Sequence, residues 1–263
     1  MSDISWRLSV LASRWRNRLR YLAAAPSTYR NWWALPLPKL GISVVLELRN
    51  GLRYLVRNGN GDLGVVNEAA MLDPYLGPGF LTLPEDALVI DVGANIGDFT
   101  MQAARACPRG RVIAIDPVRS HTQMVALQTL LNQFGNVTCI QAALGKCEGE
   151  IEIHVDGGRS SAYWGKGETD RVRLTTLPQL VREMGIDRIT LLKMDCEGAE
   201  WDILPSAEDI FPRIDQICME FHCSRGWTPE KLALWLSDRG YDVRHTGGSW
   251  NGTLWATRVG WQK

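Results

Sequence analysis

The residues best suited to chemistry fall in three short segments. In the first, Val89-Ile90-Asp91-Val92-Gly93-Ala94-Asn95-Ile96-Gly97, an apolar run ends in an acid and enters a turn with glycines at 93 and 97. Ligands of open parallel sheets sit outside the carboxyl ends of the strands, so a turn at this place is a cofactor site by geometry. Glycine there lets the backbone pass close to a ligand and lets the following helix start close to the strand. The spacing is GxxxG, not the GxGxxG of nicotinamide and flavin enzymes. Asp91 beside such a turn repels a pyrophosphate and attracts a cationic amino-acid moiety. S-adenosyl-L-methionine (SAM) brings that moiety, an ammonium group with a sulfonium. A tight strand-to-helix turn with no ligand is the plainer alternative. Asp116, 25 positions after Asp91 at the end of a second apolar run, is placed to accept hydrogen bonds from two ribose hydroxyls. Together the two acids point to an adenosine-containing cofactor.

The other two segments are Lys193-Met194-Asp195-Cys196-Glu197-Gly198-Ala199-Glu200 and Glu220-Phe221-His222, each closing an apolar run. They gather acids, a lysine and a histidine at one rim, facing the place where a methyl group would be transferred. Transfer from a sulfonium needs in-line positioning, and a hydroxyl acceptor needs its proton removed. His222 is the natural base by intrinsic pKa, and Asp195 is the competing base or orienting group. Ligation of a divalent metal by Asp195, Glu197, Glu220 and His222 is a further reading that no spacing fixes. For Lys193, a rim salt bridge with Glu197 or Glu200 competes with a catalytic role.

These segments need a scaffold that brings strand ends together. Apolar runs at 88–92, 112–115, 137–142, 189–194 and 217–221 alternate with helical stretches at 97–106 and 118–134, as a parallel sheet covered on both faces requires. The chain therefore reads as a doubly wound α/β domain from residue 88 to 263. A helix at 229–239 and strands at 241–246 and 253–259, around Gly247-Gly248, add an antiparallel ending. Residues 41–87 read as a small β and helical extension, with Asn50-Gly51 as a hairpin signal.

Residues 1–40 differ. Ile4, Leu8, Leu11, Trp15, Leu19 and Leu22 recur with the period of one helix face, and the arginines lie largely off it. Such a basic amphipathic helix suits an anionic membrane surface, packing on the main domain, or a partner. Pro26, Pro36 and Pro38 then mark a linker that carries Trp32 and Trp33. The whole chain of 263 residues has 29 basic and 29 acidic side chains, which argues against a nucleic-acid partner. The balance is not local: residues 1–46 hold seven basic side chains against Asp3, a net of +6, and the remainder carries −6. Six scattered cysteines form no CxxC pair, so reduced thiols are expected and neither a zinc site nor a disulfide framework is indicated. With no apolar run long enough to span a bilayer and no secretory leader, a cytoplasmic location is expected.

The motifs, taken in order over residues 57–256, resemble those of the FkbM-type SAM-dependent methyltransferases. Residues 57–62 with Val65 and Glu68 look like the family's segment before the sheet, and Asp91 to Gly97 match its cofactor turn. Asp116-Pro117 is similar to its Glu-Pro, and Ala142-Ala143-Leu144-Gly145 to the segment after its third strand. Ser160-Ser161 resembles its small-residue loop, Lys193 to Glu200 its most distinctive signature, and Glu220-Phe221-His222 its Glu-aromatic-His. The resemblance implies a seven-stranded, mostly parallel methyltransferase sheet with one antiparallel C-terminal strand. It implies SAM held near Glu68, Asp91, Gly93, Asn95, Gly97, Asp116, Pro117 and Ala143, with Asp62, Glu197 and Ser161 toward the acceptor. Catalysis would fall to Lys193, Asp195, Glu220 and His222. The acceptor implied is a hydroxyl of a sugar, glycolipid, polyketide or other secondary metabolite. A SAM-binding partner protein without catalysis is the alternative class, and a nicotinamide oxidoreductase is disfavoured by the missing GxGxxG. Thr175-Thr176-Leu177-Pro178 departs from the family, which commonly has aspartate after the leucine.

Overall fold

The computed structural model describes residues 23–76, 79–156, 159–161, 168–222, 226–248 and 251–261, so the helix expected at 4–22 lies outside the described residues. The chain divides into two compact units, one ending at Asp73 and one beginning at Pro74.

In the first unit, two 3-10 turns, Trp32–Ala34 and Leu37–Leu40, precede a hairpin of β1 (Val44–Glu47) and β2 (Arg53–Val56). Asn50-Gly51 makes the expected turn: Gly51 takes φ +94°, and the Asn50 side chain accepts a hydrogen bond from the Leu52 N–H at 3.0 Å. Helix α1 (Asp62–Met71) follows. The Asp62 carboxylate is 2% exposed and accepts from the Arg57 N–H at 2.9 Å and from its Nε and Nη2 at 2.8 and 3.0 Å. It thereby fixes the entry to the helix.

The second unit runs β3 (Leu88–Val92), α2 (Asp98–Ala106), β4 (Arg111–Asp116), α3 (Arg119–Asn132) and β5 (Val137–Gln141), matching the apolar runs within a residue or two. After four strands of a separate small sheet come α4 (Leu177–Glu183), β10 (Ile189–Met194), α5 (Glu200–Ser206), β11 (Ile214–His222), α6 (Pro229–Ser237), β12 (Tyr241–Gly247) and β13 (Asn251–Arg258). Seven strands form one sheet in the order β12-β13-β11-β10-β3-β4-β5, and only β13 runs against its neighbours. The chain winds outward in both directions from the β3/β10 pair, so the switch point of the sheet lies there. Val89, Ile90, Ile113, Leu191, Leu192 and Ile217 are fully buried, as strands covered on both faces must be.

The small sheet, β6 (Ala143–Leu144), β7 (Gly149–Asp156), β8 (Arg159–Ser161) and β9 (Glu168–Thr175), ordered β6-β9-β7-β8, is additional to the strands expected from sequence. Its signal is the alternation of Glu150 and Glu152 with Ile151 and Ile153, which turns Ile153 onto Val118 and Val172. At the departure noted above, Thr176 caps α4, its hydroxyl accepting from the Gln179 N–H at 3.2 Å. Among the described residues, no helix is long and apolar enough to cross a membrane.

Candidate active site

The carboxyl ends of β3, β4 and β10 converge at the switch point. Parallel pairing sets Lys193 opposite Asp91 and Met194 opposite Val92, and the Asp195 N–H then donates to the Val92 carbonyl at 2.9 Å. Gly93, with φ +74°, is packed so closely on the end of β10 that a Cβ there would lie 1.8 Å from the Asp195 carbonyl oxygen. Gly93 is thus required by the chain's own backbone. We expect Gly93→Ala to cost at least about 2 kcal/mol of stability, read as a lower urea midpoint. SAM binding would weaken with it, because the turn and the Asp195 backbone must separate.

The turn continues with Asn95 at φ +49° and Gly97 at +87° before α2 begins. Asp116 holds it from the β4 side. Its carboxylate, 4% exposed, accepts from the Asn95 N–H and the Val118 N–H at 2.9 Å each and lies 3.0 Å from His121 Nδ1. Pro117 follows directly, and Ala143 packs with Val118 and Ile153 beside it.

Two sequence expectations need correction here. Asp91 was expected to face a cationic ligand, but it is fully buried and already matched. One oxygen lies 2.9 Å from Lys193 Nζ, and the other accepts from Thr100 Oγ1 at 2.6 Å. Lys193, expected at the rim beside Glu197 or Glu200, is 3% exposed, donates to the Gly93 carbonyl at 3.1 Å and sits over the rings of Tyr75 and Phe99. Burial alone would lower its pKa, yet Asp91, Asp195 and Asp98 together raise it, so it stays an ammonium and cannot act as a base.

Asp195 is half-buried and lies within the field of Lys193, whose direct ion pair is with Asp91. Its Oδ2 accepts from the Tyr75 hydroxyl at 3.1 Å. Burial, then Asp195 and Asp98, push the Tyr75 phenol well above its usual range, which keeps it a donor. The Trp255 indole N–H anchors the Tyr75 carbonyl at 2.9 Å. Asp98, in the first turn of α2, has its carboxyl raised to about 7, by burial first and by Asp91 and Asp195 next, against the pull of Lys193. Sequence reasoning missed Tyr75, Thr100, His121 and Asp98. Tyr75 belongs to no motif, and no local signal announces it.

A second cluster closes the ends of β10 and β11. His222 Nδ1 lies 3.5 Å from Glu200 Oε1, and its Nε2 lies 3.6 Å from Glu197 and 3.8 Å from Glu220. Glu200 is fully buried and accepts from the Cys196 N–H at 3.1 Å, while Trp201 donates its indole N–H to the His222 carbonyl at 2.6 Å. Glu200 outweighs burial and, with Glu197 and Glu220, raises His222 from 6.5 to about 9. The expectation that His222 acts as a base by its intrinsic pKa does not allow for these glutamates, which favour its imidazolium form. A raised pKa means the pairing stabilises the fold fully below pH 6.5 and is lost as pH rises through about 9. Glu200→Gln is expected to lower the His222 pKa by about one unit or more, measured by proton NMR titration, and to flatten the stability profile over that window. Among the described residues, no three His, Cys, Asp or Glu side chains are grouped to hold one metal ion.

Asp62 and Glu68 lie in α1 of the first unit. Ser161 lies in β8, paired with His154.

A doubly wound sheet with one reversed strand beside its edge, and acids gathered at its switch point, defines an α/β enzyme that binds a nucleoside-containing cofactor. Residues 91–243 match the model of the methyltransferase FkbM domain, and the chain belongs to this family of SAM-dependent methyltransferases. It is 28% identical to the AMB antimetabolite synthetase AmbE of Pseudomonas aeruginosa over 73% of this chain, which spans only 11% of that protein. It is 25% identical to methyltransferase sdnD of Sordaria araneosa, covering 64% of this chain and 78% of the relative. A crystal structure of methyltransferase FkbM from Methylobacillus flagellatus superposes with a TM-score of 0.50 at 16% identity, covering 86% of this chain and 59% of that one, and so shares the fold.

Proposed function

We propose that this chain transfers a methyl group from SAM to a hydroxyl oxygen of a small polyhydroxylated acceptor, such as a sugar, glycolipid, polyketide or other secondary metabolite. The similarity to an antimetabolite synthetase supports a small-molecule acceptor. The observation that carries the reading is Asp195: a half-buried carboxylate at the switch point, oriented by the Tyr75 hydroxyl, while the direct ion pair of Lys193 is with Asp91.

The residues present suit a cationic cofactor. Lys193 cancels Asp91, so Asp195, Glu197 and Glu220 leave this end of the sheet negative, and a sulfonium with an ammonium group fits that charge. Gly93, Asn95 and Gly97 would hold the cofactor along the turn, with Asp116, Pro117 and Ala143 on the β4 side. SAM supplies an electrophilic methyl carbon on sulfur. Asp195 would take the proton from the acceptor hydroxyl, and the methyl group that SAM would supply would pass to that oxygen and leave a neutral thioether. The imidazolium of His222, held by Glu200, donates from Nε2 to the acceptor. Glu197 and Glu220 stand beside that nitrogen and order the acceptor's remaining hydroxyls.

The test is a panel of hydroxylated acceptors incubated with isotope-labelled SAM and the full chain, followed by product mass. A gain of one methyl on oxygen supports the reading. Methylation on nitrogen or carbon overturns it. SAM binding without turnover across the panel would favour the non-catalytic class.

A further inference from the structure

Residues 32–45 present an unusual surface. Trp32 is 51% exposed, Trp33 62%, Leu40 72%, Ile42 50% and Val45 36%. Five exposed large apolar side chains within one short folded segment are candidates for an interaction site. They are held on a defined scaffold. Ala34, Pro38 and Leu46 turn inward and are buried. The Asn31 side chain clamps β1, donating to the Val45 carbonyl and accepting from the Glu47 N–H at 2.8 Å each, and the Ile42 N–H donates to the Leu37 carbonyl at 3.1 Å.

The charge along this segment is mainly positive, although Glu47 at the end of β1 is an exposed acid beside it. No acid lies between residues 23 and 46, whereas Arg30 and Lys39 do, and both are exposed. Residues 1–22 add Arg7, Arg14, Arg16, Arg18 and Arg20 against Asp3.

We propose that this face docks on an anionic membrane surface, with Trp32, Trp33, Leu40 and Ile42 entering the headgroup boundary and the flanking cations meeting acidic lipid headgroups. Tryptophan is suited to that boundary, since its ring is apolar and its N–H is satisfied at the wet edge. A second copy of the chain, or the chain's own amphipathic segment, would cover the apolar side chains but leave the cations unmatched. An anionic bilayer satisfies both. The proposal extends the membrane reading of residues 4–22 to a folded surface, and it stands independently of the methyl-transfer chemistry.

The full chain is tested against phosphatidylcholine vesicles with and without phosphatidylserine, by co-sedimentation at low and high salt. The wild type should sediment with the phosphatidylserine vesicles only and be released by salt. Trp32→Ser with Trp33→Ser should weaken that partition by about tenfold or more. Both positions are exposed, and an unchanged thermal midpoint would show that the fold is kept. Absence of binding to the anionic vesicles overturns the proposal. So does unchanged binding by the double variant, which would leave residues 1–22 as the sole attachment. A concentration-dependent dimer that the double variant abolishes and vesicles do not compete for would assign the patch to a second copy and overturn it equally.

Discussion

Lys193→Met should cost about 3–5 kcal/mol of folding stability, because it removes the cation paired with a buried carboxylate and leaves that carboxylate only the Thr100 hydroxyl. Asp91 is fully buried, and the ammonium 2.9 Å away is the cation that balances it. Methionine fills much of the lysine's volume and preserves contact with Tyr75 and Phe99, so the loss would be electrostatic and not a cavity. Adding Asp91→Asn to Lys193→Met removes the stranded charge while keeping an acceptor for the Thr100 hydroxyl, and should recover a large part of the loss. Urea unfolding followed by circular dichroism checks both variants. A double variant no more stable than the single one would show that the pair is not what holds this strand end.

Asp195→Asn should leave the fold nearly intact and slow methyl transfer by about 10²- to 10⁴-fold, the usual worth of a general base. Asparagine still offers Tyr75 an acceptor, so the orientation of the side chain is kept while its capacity to take a proton is lost. SAM affinity, measured by calorimetry, should change by only a few-fold. His222→Gln should have the smaller effect on rate, since an imidazolium with its pKa near 9 donates a hydrogen bond and takes no proton at neutral pH. The opposite ranking, with His222→Gln the more damaging, would return the base to histidine. Kinetics with the acceptor found in the panel decide between them.

The difference between these two variants follows from what was legible in the sequence. The strands of the main sheet, along the chain, and the helices at 98–106, 119–132 and 229–237 could be read directly, since apolar runs and helical periods are local patterns set by pleat and helical pitch. The turn at Gly93 to Gly97 could be read for the same reason. The small sheet carried a readable alternation at Ile151 and Ile153, but short strands between polar loops give few periods to count. Lys193 and Asp195 were both visible as chemical groups two positions apart, and nothing in that spacing indicated which was sealed in and which was left open.

The sequence alone determined the class of fold, the place of the Gly93–Gly97 turn and the set of charged residues at the strand ends, because each depends on neighbours close along the chain. Tertiary structure decided what those residues are. Parallel pairing of β10 with β3 sets Lys193 against Asp91 and removes both from the list of free groups. Tyr75, from a loop before the first strand of the sheet, supplies the hydrogen bond that orients Asp195. The buried Glu200 shifts His222 toward its imidazolium form. Protonation states depend on burial and on which charges stand within a few ångströms, and those distances exist only once the chain has folded.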